Sequence, residues 1–160
     1  DSINSLPYLE ACVREILRLH PPVASTARSP VADDYIPLSD GKRLRVRKGQ
    51  RIQIGIEACN KLKSVWGEDA AEFRPERWLE KQDASKIGVY GGLLTFLEES
   101  MTESTLGFRF AVWEMKVLIW NLVSEFEFRP RSPETRSVRH GVVTVRPRYP
   151  ESLKLSRIDY

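Results

Sequence analysis

From Phe108 to Phe126 the chain sets apolar residues around nearly the whole circumference of a helix, among them Phe110, Val112, Trp113, Leu118, Trp120 and Val123. A helix apolar along one stripe can lie on a surface, whereas one apolar on most sides is covered by other elements. At about 1.5 Å per residue this helix runs on the order of 27 Å, the width of a small domain. The other elements readable here, one helix and one hairpin, are too few to cover it. The sequence therefore implies a fold with more protein around this segment, and the first residue, Asp1 rather than a methionine, fits an internal portion of a longer polypeptide.

Composition narrows the function classes. The 160 residues are 41% apolar and 29% charged, which suits a single globular piece. The net charge of +3 is mild, and basic residues are interleaved with acidic ones over most of the chain, so a dedicated nucleic-acid binder is not expected. Two cysteines, Cys12 and Cys59, are too few for a disulfide framework and lie outside any Cys-x-x-Cys or Cys/His metal spacing. No signal-peptide pattern opens the chain and no uninterrupted apolar run is long enough to span a bilayer.

The organisation reads as helix, sheet region, irregular middle, helix, then a second small sheet region. Pro7 stands where a first helical turn tolerates it, and Leu9, Cys12, Val13, Ile16, Leu17 and His20 recur at helical spacing until Pro21-Pro22 ends the pattern. Leu44 and Val46, then Ile52, Ile54 and Ile56, alternate with polar residues across Lys48-Gly49, which reads as a hairpin, and Ser39-Asp40-Gly41 marks an earlier turn. From Asn60 to Gly92 no period is sustained, so an ordered meander with short helical turns is expected. Val142, Val143 and Val145 suggest one more strand within an arginine-rich tail.

Several short motifs follow one another in order: Glu15-Ile16-Leu17-Arg18, Leu19-His20-Pro21-Pro22, Trp66-Gly67-Glu68-Asp69-Ala70, Phe73-Arg74-Pro75-Glu76-Arg77-Trp78, and Leu106-Gly107-Phe108-Arg109-Phe110-Ala111 with Glu114-Met115-Lys116. In this order and near this spacing they resemble the C-terminal portion of the cytochrome P-450 family, the haem-thiolate monooxygenases, and look most like its fungal branch. The resemblance covers residues 1–160 as part of one domain. It implies a mainly α fold with small β regions (α+β), incomplete in this chain.

Read by helical angle alone, Glu15 and Arg18 lie away from the Leu9, Val13, Ile16 face and could form a surface pair worth about 0.2–0.5 kcal/mol. The resemblance implies instead a buried triad of Glu15, Arg18 and Arg77 that locks the first helix to the meander. Loss of one partner would then strand a desolvated charge at a cost of roughly 3–5 kcal/mol. Arg28 occupies the position where the family sets an arginine against a haem propionate, and a guanidinium can pair bidentately with a carboxylate.

The resemblance also implies a loop of pattern Phe-x-x-Gly-x-Arg-x-Cys-x-Gly before the last long helix, bounded here by Phe96 and Gly107, the two family positions expected beside the haem together with Arg28. Counting seven residues on from Phe96 gives Glu103, and counting two back from Gly107 gives Thr105. Neither is cysteine. The segment is two residues longer than the pattern, lacks its first glycine and its arginine, and carries Glu98, Glu99 and Glu103. A cysteine thiolate supplies the electron push that favours O–O cleavage in such enzymes. A threonine hydroxyl has no accessible anionic form at neutral pH. Metal ligation and catalysis by residues of this loop are therefore not expected.

Three readings stay open at this point. By family the function is haem- and iron-dependent monooxygenation of an apolar small molecule, with electrons from an NADPH-dependent reductase. Endoplasmic-reticulum localisation is implied if the full-length protein carries an N-terminal anchor. The chain as written could instead be a non-catalytic remnant or interaction fragment, or a mis-spliced product of an active gene, since the family pattern returns abruptly on both sides of residues 97–105. A small basic binding module using Arg129, Arg131, Arg136, Arg139, Arg146 and Arg148 is the alternative from a different class.

Overall fold

The computed structural model describes residues 3–80, 90, 92–96, 104–132, 139–141, 144, 146–147 and 153–158. The first helix, α1 (Pro7–Leu19), carries Pro7 in its first turn, where a missing N–H costs nothing, and ends at His20, whose N–H reaches the Ile16 carbonyl at 2.8 Å. Pro21 and Pro22 then bar continuation. Its buried residues fall on two sides: an apolar side with Val13 and Leu17, and a charged side on which Glu15 and Arg18 stand with the small Ala11. His20, expected on the apolar face, is exposed because it already lies beyond the last helical turn.

Four strands follow, β1 (Thr26–Arg28), β2 (Asp34–Pro37), β3 (Arg43–Val46) and β4 (Ile52–Ile54). The turn expected at Ser39-Asp40-Gly41 joins β2 to β3, with Gly41 at φ +80° and the Leu38 N–H on the Lys42 carbonyl at 2.8 Å. The hairpin expected across Lys48-Gly49 does not form. β3 pairs with β2, and β4 pairs with β1 in the register Thr26 to Ile54, so the two runs belong to different antiparallel pairs. The Gly49 N–H is fixed to the Pro30 carbonyl at 2.9 Å, and Gly49 adopts φ +75°, so this corner hands the chain from one sheet to the other. Ile56, read as a strand residue, opens the short helix α2 (Ile56–Asn60) instead.

The meander contains α3 (Lys63–Trp66) and a 3-10 turn at Pro75–Trp78, and residues 81–89 lie outside the described residues. A second 3-10 turn spans Leu94–Phe96. The long helix α4 (Ser104–Glu125) starts four residues before the expected Phe108 and runs directly into β5 (Phe126–Pro130). Two short strands, β6 (Arg139–His140) and β7 (Arg146–Pro147), pair with each other, and β8 (Leu153–Arg157) pairs with β5. The strand expected on Val142, Val143 and Val145 lies outside the described residues.

The core gathers Val13 and Leu17 of α1, Trp66 and Ala70 of the meander, Tyr90, Leu93, and Val112 of α4. Only one side of α4 reaches it. Phe110, Trp113, Leu118, Trp120 and Val123 are exposed, as the apolar circumference of the helix leads one to expect when few elements surround it. No helix among the described residues is long and apolar enough to cross a membrane.

Candidate functional site

The most densely bonded point of the molecule is the Glu15 carboxylate. Its Oε1 accepts from Arg18 Nη2 at 2.8 Å, Arg77 Nε at 3.0 Å and the Arg74 backbone N–H at 2.9 Å, while Oε2 accepts from Arg18 Nε and Trp78 Nε1, both at 2.9 Å. Arg18 spends its three remaining N–H donors on the carbonyls of Asn60, Ala70 and Glu72, at 2.9, 2.5 and 3.0 Å. Every donor of that guanidinium is thus used. Arg77 adds Asp69, with Nη2 at 3.1 Å from Oδ2, and the carbonyls of Trp66 and Asp69. Burial pushes the Glu15 carboxyl up, but the hydrogen bonds from Arg18, Arg74 and Trp78 outweigh it and hold the group below its ordinary value. Glu15, Arg18 and Arg77 therefore meet in one place with no exposed face. This arrangement holds charge in place and leaves nothing free to react.

A second cluster was not legible beforehand. Glu10, one helical turn before Arg14 and Glu15 on α1, accepts from Arg14 Nε at 2.8 Å and from the Tyr90 hydroxyl at 2.5 Å, and its other oxygen meets Lys116 Nζ of α4. Lys116 is 6% exposed and also donates to Asn4 Oδ1 at 3.3 Å. Arg14 lies over the Tyr90 ring at 4.8 Å. Burial raises the Tyr90 hydroxyl pKa well above its ordinary range, and the Glu10 carboxylate beside it adds to the shift. Glu10, Tyr90 and Lys116 border an open cleft of about 490 Å³ walled by Phe108, Phe110 and Trp113.

The turn from which the loop of interest departs is held by Asn60, which sequence reading passed over. Its Nδ2 donates to Thr95 Oγ1 at 2.9 Å, its Oδ1 accepts from the Leu94 N–H at 3.1 Å, and Thr95 Oγ1 in turn donates to the Leu17 carbonyl at 2.8 Å. Phe96 and Phe108 face each other with centroids 5.7 Å apart, and Tyr90 touches both. The two flanks of the loop are therefore close in space. Glu103 lies outside the described residues, whereas Thr105 and Gly107 belong to the first turns of α4. Arg28, on β1, turns its Nη1 back to Thr26 Oγ1 and the Ala27 carbonyl, each at 3.0 Å. The structure thus unites the three charged scaffold residues and brings Phe96 beside the α4 start, and it places Arg28 on a separate sheet.

The family model for cytochrome P450 matches residues 1–155 of this chain. The chain belongs to the cytochrome P450 family. It is 41% identical over 158 residues to cytochrome P450 monooxygenase 205 of Postia placenta, covering 92% of this chain and 29% of that protein. Against a ganoderic acid synthetase of Ganoderma lucidum it is 39% identical over 142 residues, covering 80% and 26%. The crystal structure of a cytochrome P450, CYP102L1, superposes with a TM-score of 0.76 at 28% identity, over 99% of this chain and 33% of that one. This P450 chain spans about three tenths of the length of the curated relatives it matches. The fungal sources agree with the branch suggested by the motifs, and the P450 fold here is partial.

The family implies a haem, so the donor set has to be compared with what haem-thiolate iron needs. The two cysteines sit on α1 and α2, and neither lies between Phe96 and Gly107. No group of three or more His, Cys, Asp or Glu side chains suited to a metal occurs among the described residues. Residues 97–103, within the segment where the family pattern sets its cysteine, lie outside the described residues.

Proposed function

We propose that this chain is a non-catalytic C-terminal portion of a fungal-type P450: by descent part of a haem-dependent monooxygenase, and as written unable to hold iron through a thiolate. The observation that carries the reading is the run Leu97-Glu98-Glu99-Ser100-Met101-Thr102-Glu103-Ser104-Thr105 in place of a cysteine-bearing loop. Around it the scaffold of the family is intact in chemical terms, with the Glu15 centre fully bonded and the Leu94–Phe96 turn tied down by Asn60. Selection or error acted on the loop alone. Drift long enough to erase the ligand would also have loosened a buried charge centre in which each lost partner costs several kcal/mol. That contrast favours a replaced segment, as from a displaced splice junction, over slow decay of an enzyme. An apolar substrate, an NADPH-dependent reductase and an endoplasmic-reticulum location belong, in this reading, to a full-length protein with a restored loop.

The test is spectroscopic. The 160-residue chain, mixed with haem, reduced and exposed to carbon monoxide, is expected to lack the red-shifted Soret band of thiolate ligation. Appearance of that band would overturn the reading. A transcript encoding Phe-x-x-Gly-x-Arg-x-Cys at this point would identify the segment as a splicing product.

A further inference from the structure

The open cleft beside Glu10, Tyr90 and Lys116 is used neither by the Glu15 centre nor by the segment after Phe96. Its volume of about 490 Å³ suits a molecule of two or three linked rings. By helical angle Arg109, Trp113 and Lys116 leave α4 on one side, whereas Gly107 and Ala111 lie on the opposite side. The cleft is thus turned away from the side of α4 that carries the family position Gly107. Phe108, Phe110 and Trp113 give it aromatic walls, and Phe110 and Trp113 are 66% and 51% exposed. Such walls favour a flat aromatic partner, because offset and edge-on ring contacts gain energy beyond the area they bury.

Two cations stand on the same lining. Lys116 donates to Glu10 and to Asn4 Oδ1 at 3.3 Å, which leaves one N–H of its ammonium without an acceptor among the described residues. Arg109 is exposed and has no acidic partner among the described residues. Against them stands Glu10, whose charge is already matched by Lys116 and by Arg14 at 2.8 Å. Burial and the Glu10 carboxylate raise the Tyr90 pKa, so this hydroxyl stays protonated at neutral pH and adds no negative charge. A neutral aromatic molecule would leave the Arg109 guanidinium without a counter-charge, and a cationic one would be repelled. An aromatic anion matches both the walls and the charge.

We infer that this cleft is a binding site for a flat aromatic anion, its rings against Phe108, Phe110 and Trp113 and its carboxylate or sulfonate on Arg109, with Lys116 as the second cation. The site is independent of haem and of the segment after Phe96.

Two dyes with one ring skeleton test it: 8-anilinonaphthalene-1-sulfonate, an anion, and N-phenyl-1-naphthylamine, which lacks the sulfonate. Both brighten on leaving water, and titration at submicromolar chain keeps α4 from being covered by a second copy. The 160-residue chain is expected to bind both. Arg109→Gln should weaken the sulfonate about tenfold and leave the neutral dye unchanged. Phe110→Ala with Trp113→Ala should weaken both dyes about tenfold. Leu118→Gln with Leu122→Gln, on the Gly107 side of α4, should change neither. All five positions are exposed, so circular dichroism should be unchanged. Failure to bind the sulfonate overturns the proposal, and so does a sulfonate affinity untouched by Arg109→Gln or an equal loss of both dyes in that variant. Weakened binding in the Leu118 and Leu122 variant overturns it as well, and assigns the dyes to the bare helix as a whole.

Discussion

Lys116 on the long helix α4 and Glu10 on the first helix α1 form an ion pair in which the lysine is almost fully buried. The pair is the polar fastening between two helices that otherwise meet through Val13, Leu17 and Val112. Removing the cation alone leaves a partly buried carboxylate facing Arg14 and Tyr90 only. Lys116→Met is therefore expected to destabilise the chain by about 2 kcal/mol, and Glu10→Gln with Lys116→Met by less than the sum of the two single changes. Urea unfolding of the four proteins checks this, and strict additivity would remove the pair from any account of the helix contact.

Acid should act on the same group. The Glu10 carboxyl is held below its ordinary value of 4.5: burial pushes it up, and the hydrogen bonds from Lys116, Tyr90 and Arg14 more than offset that. Glu15 is lowered in the same sense. A carboxyl with a depressed folded-state pKa contributes stability that is complete above its unfolded value and lost as pH falls through the folded one. The urea midpoint should therefore be flat from neutrality to about pH 5 and fall steadily below 4.5. Glu10→Gln should flatten part of that acid limb; an unchanged slope would contradict the assignment.

The Glu15 centre sets a larger effect. Arg77→Ala removes a buried donor from Glu15 and leaves the carbonyls of Trp66 and Asp69 short of a partner, so a loss of about 3–5 kcal/mol is expected. Arg77→Lys should recover little, because one ammonium cannot reproduce the fork that spans Glu15 and Asp69. Thermal unfolding followed by circular dichroism distinguishes these outcomes. A lysine variant as stable as the parent would show that charge, not geometry, holds this junction.

What could be read beforehand depended on how local each cause is. α1 was legible because proline chemistry and a 3.6-residue period act within one segment. Its burial was only half legible: the charged side of the helix is covered by Arg77, Trp78 and the carbonyls near Ala70, more than fifty residues away. The fate of Glu15 and Arg18 followed from family resemblance and not from spacing. The cluster of Glu10, Tyr90 and Lys116 left no pattern at all, since Tyr90 lies 80 residues from Glu10 and Lys116 farther still, and one buried lysine looks like any other charge. The alternation of apolar and polar residues marks β3 and β4 but not their partners β2 and β1, so the two runs read as paired with each other. Lys48-Gly49 has the composition of a hairpin turn, but the hydrogen bond from Gly49 to Pro30 uses it as a corner between sheets.

The uncovered side of α4 carries a prediction about association. Phe110, Trp113, Leu118 and Val123, spread around much of the helix, are each half exposed or more, which is more exposed apolar surface than soluble monomers usually show. The isolated chain is expected to self-associate at about micromolar concentration, and Trp113→Gln with Leu118→Gln to shift it towards monomer without loss of helix. Sedimentation velocity over a dilution series reads the difference. A parent chain that stays monomeric at high concentration would mean that this face is covered by residues of the chain itself.

Thr105→Cys supplies the missing thiol at one of the two positions that the family spacing permits, and it separates a lost ligand from a replaced loop. Thr105 already lies inside α4, whose helical hydrogen bonding starts at Ser104. A side chain there is carried by a helix, not by a glycine-rich loop whose backbone can approach a macrocycle closely. The segment from Phe96 also remains two residues too long and keeps Glu98, Glu99 and Glu103, whose charge opposes two propionates. The variant is accordingly expected to remain without the thiolate Soret band under reducing conditions with carbon monoxide. If that single substitution produced the band, the defect would be one residue, and the loop around it would have kept the geometry of the family despite its altered length.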